Sequence, residues 1–151
     1  MPSRLDASQS AAASVKPEER QIVLAGPGAG KSHVVGALAA NLVDAGLYPE
    51  EILVVSFSRV AVQVVQERTR DVVDAGHGVD VVTLDSLAAR IRAQLEDDRG
   101  FGGYDAAVRR ATGLLLAAEP PALPDVRHLI VDEVQDVVGE RARFLLALLS
   151  H

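Results

Sequence analysis

Apolar residues in this sequence gather in short continuous runs, separated by longer segments with the composition and periodicity of helices. Four runs are predicted to be strands, at residues 21–25, Ile52–Ser56, 79–82 and His128–Val131. The runs are apolar throughout rather than alternating, which is typical of strands covered on both faces. The pattern therefore predicts an α/β fold with a mostly parallel sheet flanked by helices.

The remaining segments predict helices and loops. Residues 1–20 are polar and rich in Ala and Ser, which predicts a short helix and a connector. Further helices are predicted at residues 34–45, 60–74, 86–95, 104–118 and 141–149. Gly46 is suited to end the first of these, and Asp85 or Ser86 is a candidate N-cap for the helix at 86–95. Residues 97–103 and the proline-rich 119–125 predict loops.

Composition adds bounds to this picture. A chain of 151 residues, 48% hydrophobic and 24% charged, suits one soluble globular domain. It contains no cysteine, which excludes disulfides and cysteine-ligated metal sites. No apolar stretch approaches the roughly 20 residues of a membrane span, so we expect no membrane partner and a cytoplasmic location. The net charge of −6 provides no general basic surface for nucleic acid, although a local groove can still be basic.

A glycine-rich loop follows the first predicted strand and precedes a predicted helix. Its sequence, Ala-Gly-Pro-Gly-Ala-Gly-Lys-Ser, has the Walker A pattern with alanine at the first position. Backbone N–H groups of such a loop cradle phosphates, while the lysine contacts the β- and γ-phosphates and the serine holds Mg²⁺. The predicted ATP-binding residues here are Ala25, Gly26, Pro27, Gly28, Ala29, Gly30, Lys31 and Ser32. Alone, the loop indicates only a nucleoside triphosphate, and a glycine-rich turn with a chance lysine is the alternative.

Two acids end the last predicted strand. Asp132 is the predicted Mg²⁺ ligand together with Ser32, and Glu133 is the predicted general base that polarises the attacking water. Gln135 is predicted to sense the γ-phosphate. The alternative is a solvated acidic turn, which the loop upstream makes less favourable because the two motifs act together.

The sequence Asp-Glu-Val-Gln-Asp at 132–136 resembles the DExQD motif II of UvrD/Rep-type superfamily 1 DNA helicases. Residues 5–13 look like the Q motif of that family, which makes Gln9 the candidate for reading the adenine edge. The resemblance implies a phosphate-loop NTPase fold of the RecA-like kind, with ATP and Mg²⁺ as cofactors.

Two further segments are similar to the motifs that touch single-stranded DNA in this family. Residues 52–59 resemble motif Ia, and residues 82–90 resemble motif Ib, in which Leu84 and Asp85 replace an aromatic residue and a histidine. Asp85 is expected to place an unfavourable negative charge near phosphates, and core packing is the alternative role for Phe57. The resemblance implies DNA contacts by Ser56, Phe57, Ser58, Arg59, Thr83 and Ser86.

The resemblance also implies a partial motor. We expect residues 1–151 to be an incomplete UvrD-like ATP-binding domain, with a Q-motif helix and connector at 1–20 and a reduced insertion at 96–125. In the family, a strand carrying motif III lies between the two phosphate-binding strands, and a second motor domain supplies arginines to the γ-phosphate. The expected function is ATP hydrolysis coupled to movement on single-stranded DNA, weak in this chain alone. The alternatives are another phosphate-loop ATPase or kinase, or a decayed non-catalytic module.

Overall fold

Three parallel strands form the sheet in a computed structural model of the chain. The structure describes residues 5–70, 78–95, 103–119, 122–123 and 125–150, without the side chains of 68–70. The strands are β1 (Ile52–Ser56), β2 (Asp80–Thr83) and β3 (His128–Val131), in the order β2-β1-β3. The central strand β1 is buried along its whole length, so the parallel α/β prediction is confirmed.

Helices surround this sheet. They are α1 (Ala7–Ala13), α2 (Lys31–Asp44), α3 (Arg59–Arg70), α4 (Leu84–Gln94), α5 (Tyr104–Ala117) and α6 (Gly139–Ser150), with 3₁₀ turns at Pro49–Glu51 and Val134–Asp136. None of the helices in the described residues has the length and apolarity that a bilayer crossing requires.

The alternation of side chains along β1 divides the core in two. Leu53 and Val55 pack with buried residues of α4, α5 and α6, including Phe144. Ile52 and Val54 point the other way and pack with buried residues of α2 and α3. Each fully buried aliphatic or aromatic side chain contributes roughly 1.5–3 kcal/mol. Both faces of the sheet are therefore covered, as the uninterrupted apolar runs predicted.

Several predicted boundaries agree with the structure and one cap does not. The predicted strands Ile52–Ser56 and His128–Val131 are confirmed without change, and the strand predicted at 79–82 lies at Asp80–Thr83. The N-cap of α4 is Thr83, whose Oγ1 accepts a hydrogen bond from the Ser86 N–H at 3.1 Å. The predictions of Asp85 or Ser86 as the cap were therefore wrong. Of the predicted helix end at 71–74 and the loop at 97–103, only Gly103 is among the described residues.

The strand predicted at 21–25 was wrong. The segment has no strand structure, and its apolar side chains face solvent, with Ile22 82% and Leu24 91% exposed. A strand needs a hydrogen-bonded neighbour, and β1 uses its two edges for β2 and β3. Within the described residues, no further strand pairs with the free edge of β3. Residues 21–25 therefore have no strand to pair with. Apolarity predicted a buried strand here, and the prediction fails because no strand in the described residues pairs with this segment.

Candidate functional site

The carboxyl ends of the three strands meet at one edge of the sheet. Ser56 lies opposite Thr83 in the β1–β2 register, and the Asp132 N–H donates to the Val55 carbonyl at 2.9 Å. The segments that follow β1, β2 and β3 therefore lie side by side. In open parallel sheets this edge is where ligands bind, because the loops there leave a crevice between the strands and the helices.

The glycine-rich loop leads directly into α2. Gly28 and Gly30 adopt left-handed backbone angles, with φ of 74° and 77°, which allow the chain to turn tightly before the helix. Gly30 is the N-cap of α2, and Lys31 and Ser32 are its first two residues. The first N–H groups of a helix lack intrahelical acceptors and carry partial positive charge. The positive end of α2, reached through this tight turn, is therefore suited to an anion.

Gln9 fixes α1 against this loop. Asp6 caps α1 by accepting from the Gln9 N–H at 2.8 Å, and the Gln9 side chain accepts from the Asp6 N–H at 3.0 Å. The hydrogen bond from the Gln9 N–H, aided by the Ser8 hydroxyl, lowers the pKa of the Asp6 carboxyl. Gln9 Nε2 donates to the Ala29 carbonyl at 3.1 Å. The predicted adenine-reading amide is thus next to the glycine-rich loop, with both of its ends hydrogen-bonded.

Lys31 and Glu133 form an ion pair across the edge of the sheet. Lys31 Nζ lies 3.5 Å from Glu133 Oε1, and the two side chains are 28% and 31% exposed. Gln135 Nε2 donates to the other Glu133 oxygen. Glu133 has a left-handed backbone, with φ of 57°, and its side chain reaches Lys31 in the first turn of α2. Three predicted site residues are therefore brought together.

Asp132 lies beneath this pair and is 4% exposed. Its Oδ2 is buried and has no hydrogen-bond partner in the part of the chain that is described. Burial raises the pKa of Asp132 and the neighbouring Glu133 raises it further, although the Glu133 N–H and Lys31 act in the opposite direction. A desolvated carboxylate oxygen of this kind is suited to a divalent cation.

The donor set around Asp132 favours a cation that keeps other ligands. No group of three or more His, Cys, Asp or Glu residues able to hold a metal occurs in the described ranges. Magnesium is usually held by one or two carboxylates together with water and phosphate oxygens, so a single buried Asp is compatible with it. No hydrogen bond joins the predicted second ligand, Ser32, to Asp132 among the described contacts.

Of the four predicted DNA contacts at the end of β1, two are less exposed than a DNA contact requires and two are exposed. Ser56 is fully buried, and its Oγ accepts from the Ser58 N–H at 3.5 Å. Phe57 is half-buried and packs against the core on the α4–α6 side, which favours the alternative role for this residue. Ser58 and Arg59 are exposed, and Ser58 Oγ accepts from the Ala61 N–H at 3.2 Å at the start of α3.

The residues after β2 form a small polar turn. Thr83 Oγ1 donates to Ser86 Oγ at 2.7 Å, and Ser86 is exposed. Asp85, which was expected to leave a free negative charge here, is instead paired with Arg141 of α6 at 3.1 Å. The expected repulsion is therefore opposed by a cation that the sequence-based reasoning did not include.

Two residues with a role at the site were missed by that reasoning. Asp6 could have been found, because Asp followed three residues later by Gln is a capping-box pattern. Arg141 could not have been found in this way, since its contact with Asp85 spans 56 positions and depends on how α4 and α6 pack.

Comparisons with known proteins identify the family. Residues 5–111 match the model for the UvrD/REP helicase N-terminal domain. The chain is 34% identical over 92 residues to DNA helicase II of Rickettsia typhi, and the matched region makes up 60% of this chain and 14% of that protein. It is 38% identical over 77 residues to a probable DNA helicase II homolog of Rickettsia felis, and that matched region makes up 50% of this chain and 12% of that protein. No solved structure matches it. The chain spans a small part of the length of these relatives, and it belongs to the UvrD/REP helicase N-terminal domain family.

Proposed function

We propose that this chain is the ATP-binding part of a DNA helicase motor with a RecA-like phosphate-loop fold. The observation that carries the proposal is the contact between Lys31 and Glu133, which joins the glycine-rich loop to the acidic segment after β3. A kinase or unrelated ATPase could share the loop. The family membership and the Asp-Glu-Val-Gln-Asp sequence favour the helicase.

ATP binding would use the backbone of residues 25–30 and the first turn of α2. The triphosphate would accept hydrogen bonds from these N–H groups, and Lys31 would move from Glu133 to the β- and γ-phosphates. Gln9 would exchange its bond to the Ala29 carbonyl for the adenine edge, over a short distance because α1 already lies beside the loop.

Hydrolysis would follow from the release of Glu133. Once Lys31 binds phosphate, the Glu133 carboxylate is free to accept a proton from water as the oxygen attacks the γ-phosphorus. The bond from the γ-phosphorus to the bridging oxygen breaks, and ADP and phosphate leave. Asp132 and Ser32 would hold Mg²⁺, which when bound neutralises charge on the phosphates. Gln135, bonded to Glu133, would report the change to the DNA side.

Single-stranded DNA would lie along the same sheet edge, over the turns that follow β1 and β2. The groups suited to phosphate are the exposed side chains of Ser58, Arg59 and Ser86. The half-buried hydroxyl of Thr83 lies beside Ser86. Ser56 and Phe57 would support the turn after β1 from its buried side, and they would contact DNA only if that turn opened.

The chain alone is expected to turn over slowly. In helicases of this type the arginines that face the γ-phosphate come from a second motor domain, and such a residue contributes ~10³–10⁵ in rate. The exposed segment at 21–25 supports the same view, because an additional strand between it and β3 would bury Ile22 and Leu24. The arginines and the additional strand would both come from residues other than those described here.

The test is Mg·ATP hydrolysis by the purified chain, with and without single-stranded DNA. Lys31→Ala should abolish any turnover and ATP binding, whereas Lys16→Ala, a change at the only other lysine, should not. Circular dichroism would confirm that every variant is folded. Weak ATP binding lost in Lys31→Ala supports the proposal. ATP binding that is equal in the two variants would contradict it, and fast DNA-stimulated turnover would refute the need for a second domain.

A further inference from the structure

Asp85 and Arg141 join two helices at the proposed DNA-facing turn. Arg141 Nη2 lies 3.1 Å from Asp85 Oδ1 and 3.2 Å from Oδ2, and the side chains are 29% and 41% exposed. Asp105 of α5 approaches the same guanidinium at 3.6 Å, but it is 72% exposed and therefore well screened by solvent. Asp85 is thus the nearer of the two acids that face Arg141.

The Asp85 carboxylate needs a counter-ion. Its Oδ1 is buried and has no hydrogen-bond partner within the described part of the chain. A desolvated carboxylate oxygen without a positive neighbour is strongly unfavourable. Arg141 Nη2 supplies that charge, and it hydrogen-bonds the other oxygen, Oδ2.

The position of this pair matters because of its neighbours. Asp85 lies in the first turn of α4, between Thr83, the N-cap, and Ser86, whose hydroxyl accepts from Thr83. A phosphodiester bound by these hydroxyls would lie close to the Asp85 carboxylate. Without Arg141 the carboxylate would repel the phosphate and offset the positive end of the helix.

We infer that Arg141 is a positioning residue for DNA binding, which acts as the counter-ion of Asp85 so that the first turn of α4 can accept a backbone phosphate. The inference rests on the proposed function. It assigns Arg141 no contact with DNA, because two carboxylates already face its guanidinium.

The experiment measures binding of a fluorescent oligothymidylate to the whole chain by anisotropy, at several salt concentrations. Arg141→Gln should weaken binding by on the order of 3- to 10-fold at low salt, and less as salt screens the partly exposed carboxylate. Asp85→Asn should bind at least as tightly as the unmodified chain. The double variant Asp85→Asn/Arg141→Gln should recover the affinity lost in Arg141→Gln. Arg143→Gln is the matched control, since it removes the same charge from an exposed position of α6 that pairs with Glu140.

The outcomes distinguish a failure of the counter-ion role from a failure of the proposed DNA contact. A double variant as weak as Arg141→Gln would mean that Arg141 binds phosphate itself, and would overturn the counter-ion role. Unchanged affinity in Arg141→Gln, or weaker binding in Asp85→Asn, would overturn it while leaving the DNA contact intact. A folded unmodified chain that does not bind the oligonucleotide would refute the proposed DNA contact and the inference with it. Asp85→Asn keeps Arg141, so the test remains decisive even where Arg141→Gln unfolds.

Discussion

Lys31 Nζ and Glu133 Oε1 lie 3.5 Å apart, which makes the proposed phosphate-binding lysine and the proposed general base direct partners. Both side chains are about one-third exposed, so solvent screens their attraction and such a pair is worth at most about 1 kcal/mol. A triphosphate can therefore displace Glu133 from Lys31 at small cost. The same displacement frees the carboxylate that hydrolysis needs.

Replacing Glu133 with Gln should separate binding from turnover. The uncharged amide competes less well for Lys31, so ATP affinity measured without Mg²⁺ should rise by about 2- to 5-fold. That factor corresponds to the free energy of a partly exposed ion pair. Turnover should fall by about 10²-fold or more, because the general base is lost. A fluorescent ATP analogue and a phosphate-release assay would measure the two effects.

Glu67→Gln serves as the control for that variant, since Glu67 is an exposed acid on α3. It should change neither quantity. Weaker ATP binding in Glu133→Gln would show that Glu133 supports the nucleotide rather than competing for Lys31.

Gly30→Ala should damage the nucleotide site from two directions. Its φ of 77° is unfavourable for any residue with a Cβ, at about 1–2 kcal/mol. The added Cβ would also lie 2.9 Å from Gln9 Nε2 and push it from the Ala29 carbonyl. We expect lower thermal stability and weaker ATP binding, measured by melting and by titration.

Gly46→Ala is the matched control, because Gly46 has a φ of 102° with open space around it. It should lose stability from the backbone angle alone, without losing ATP affinity. Adding Gln9→Ala to Gly30→Ala relieves the clash but also removes the Gln9 hydrogen bonds to Asp6 and to the Ala29 carbonyl. A double variant more stable than Gly30→Ala would therefore show that the clash contributes to the loss. Unchanged ATP affinity in Gly30→Ala would contradict the prediction.

The sequence predicted the positions of strands and turns better than it predicted which strands pair with each other. The strands β1 and β3 follow from uninterrupted apolar runs, and the turn at Gly28 and Gly30 follows from glycine spacing. Residues 21–25 have the same apolar character as β1, yet whether such a run becomes a strand depends on a neighbour elsewhere in the chain. Local composition holds no information about that neighbour.

The candidate site shows the same division. Lys31 and Glu133 could be assigned to one site because their motifs act together, and the structure places them in contact. The burial of Ser56 and the pairing of Asp85 with Arg141 depend on tertiary packing. Residue type alone predicted exposed hydroxyls and a free acid at those positions.

Asp132→Asn should stabilise the ligand-free chain at neutral pH. Burial raises the pKa of Asp132 above its ordinary 3.8, which means that the folded state disfavours the ionised form. Between pH 3.8 and the raised pKa the folded chain binds more protons than the unfolded chain, so stability falls as pH rises. Asparagine carries no charge and lacks this penalty.

The stabilisation should therefore be absent near pH 3.8 and below, and should grow to a constant value as pH rises through the raised pKa. Urea unfolding at a series of pH values would measure it. The same variant should lose Mg²⁺-dependent ATP binding. A variant less stable than the unmodified chain at pH 7 would show that the carboxylate is satisfied by groups other than a cation.

Leu24→Lys should leave the fold intact and lower self-association. Leu24 is 91% exposed, so its replacement should change the free energy of unfolding by less than about 0.5 kcal/mol. An exposed apolar segment favours association between chains, which a lysine opposes. Sedimentation velocity at rising concentration would detect the difference.

Val60→Lys is the comparison for that variant, since Val60 is 68% exposed and lies on a different element, α3. It should leave association unchanged. A loss of stability in Leu24→Lys of several kcal/mol would mean that residues 21–25 are buried in solution as a strand.

The backbone of Glu133 sets thermal stability against chemistry at a single position. It is the one residue other than glycine with a positive φ in the described part of the chain, and a left-handed angle costs about 1–2 kcal/mol for a side chain with a Cβ. Glycine would relieve this strain while removing the carboxylate. Directed evolution of this protein for heat resistance alone would thus favour variants that have lost the proposed general base, and a screen that also rewards the proposed turnover is needed to keep the acid in place.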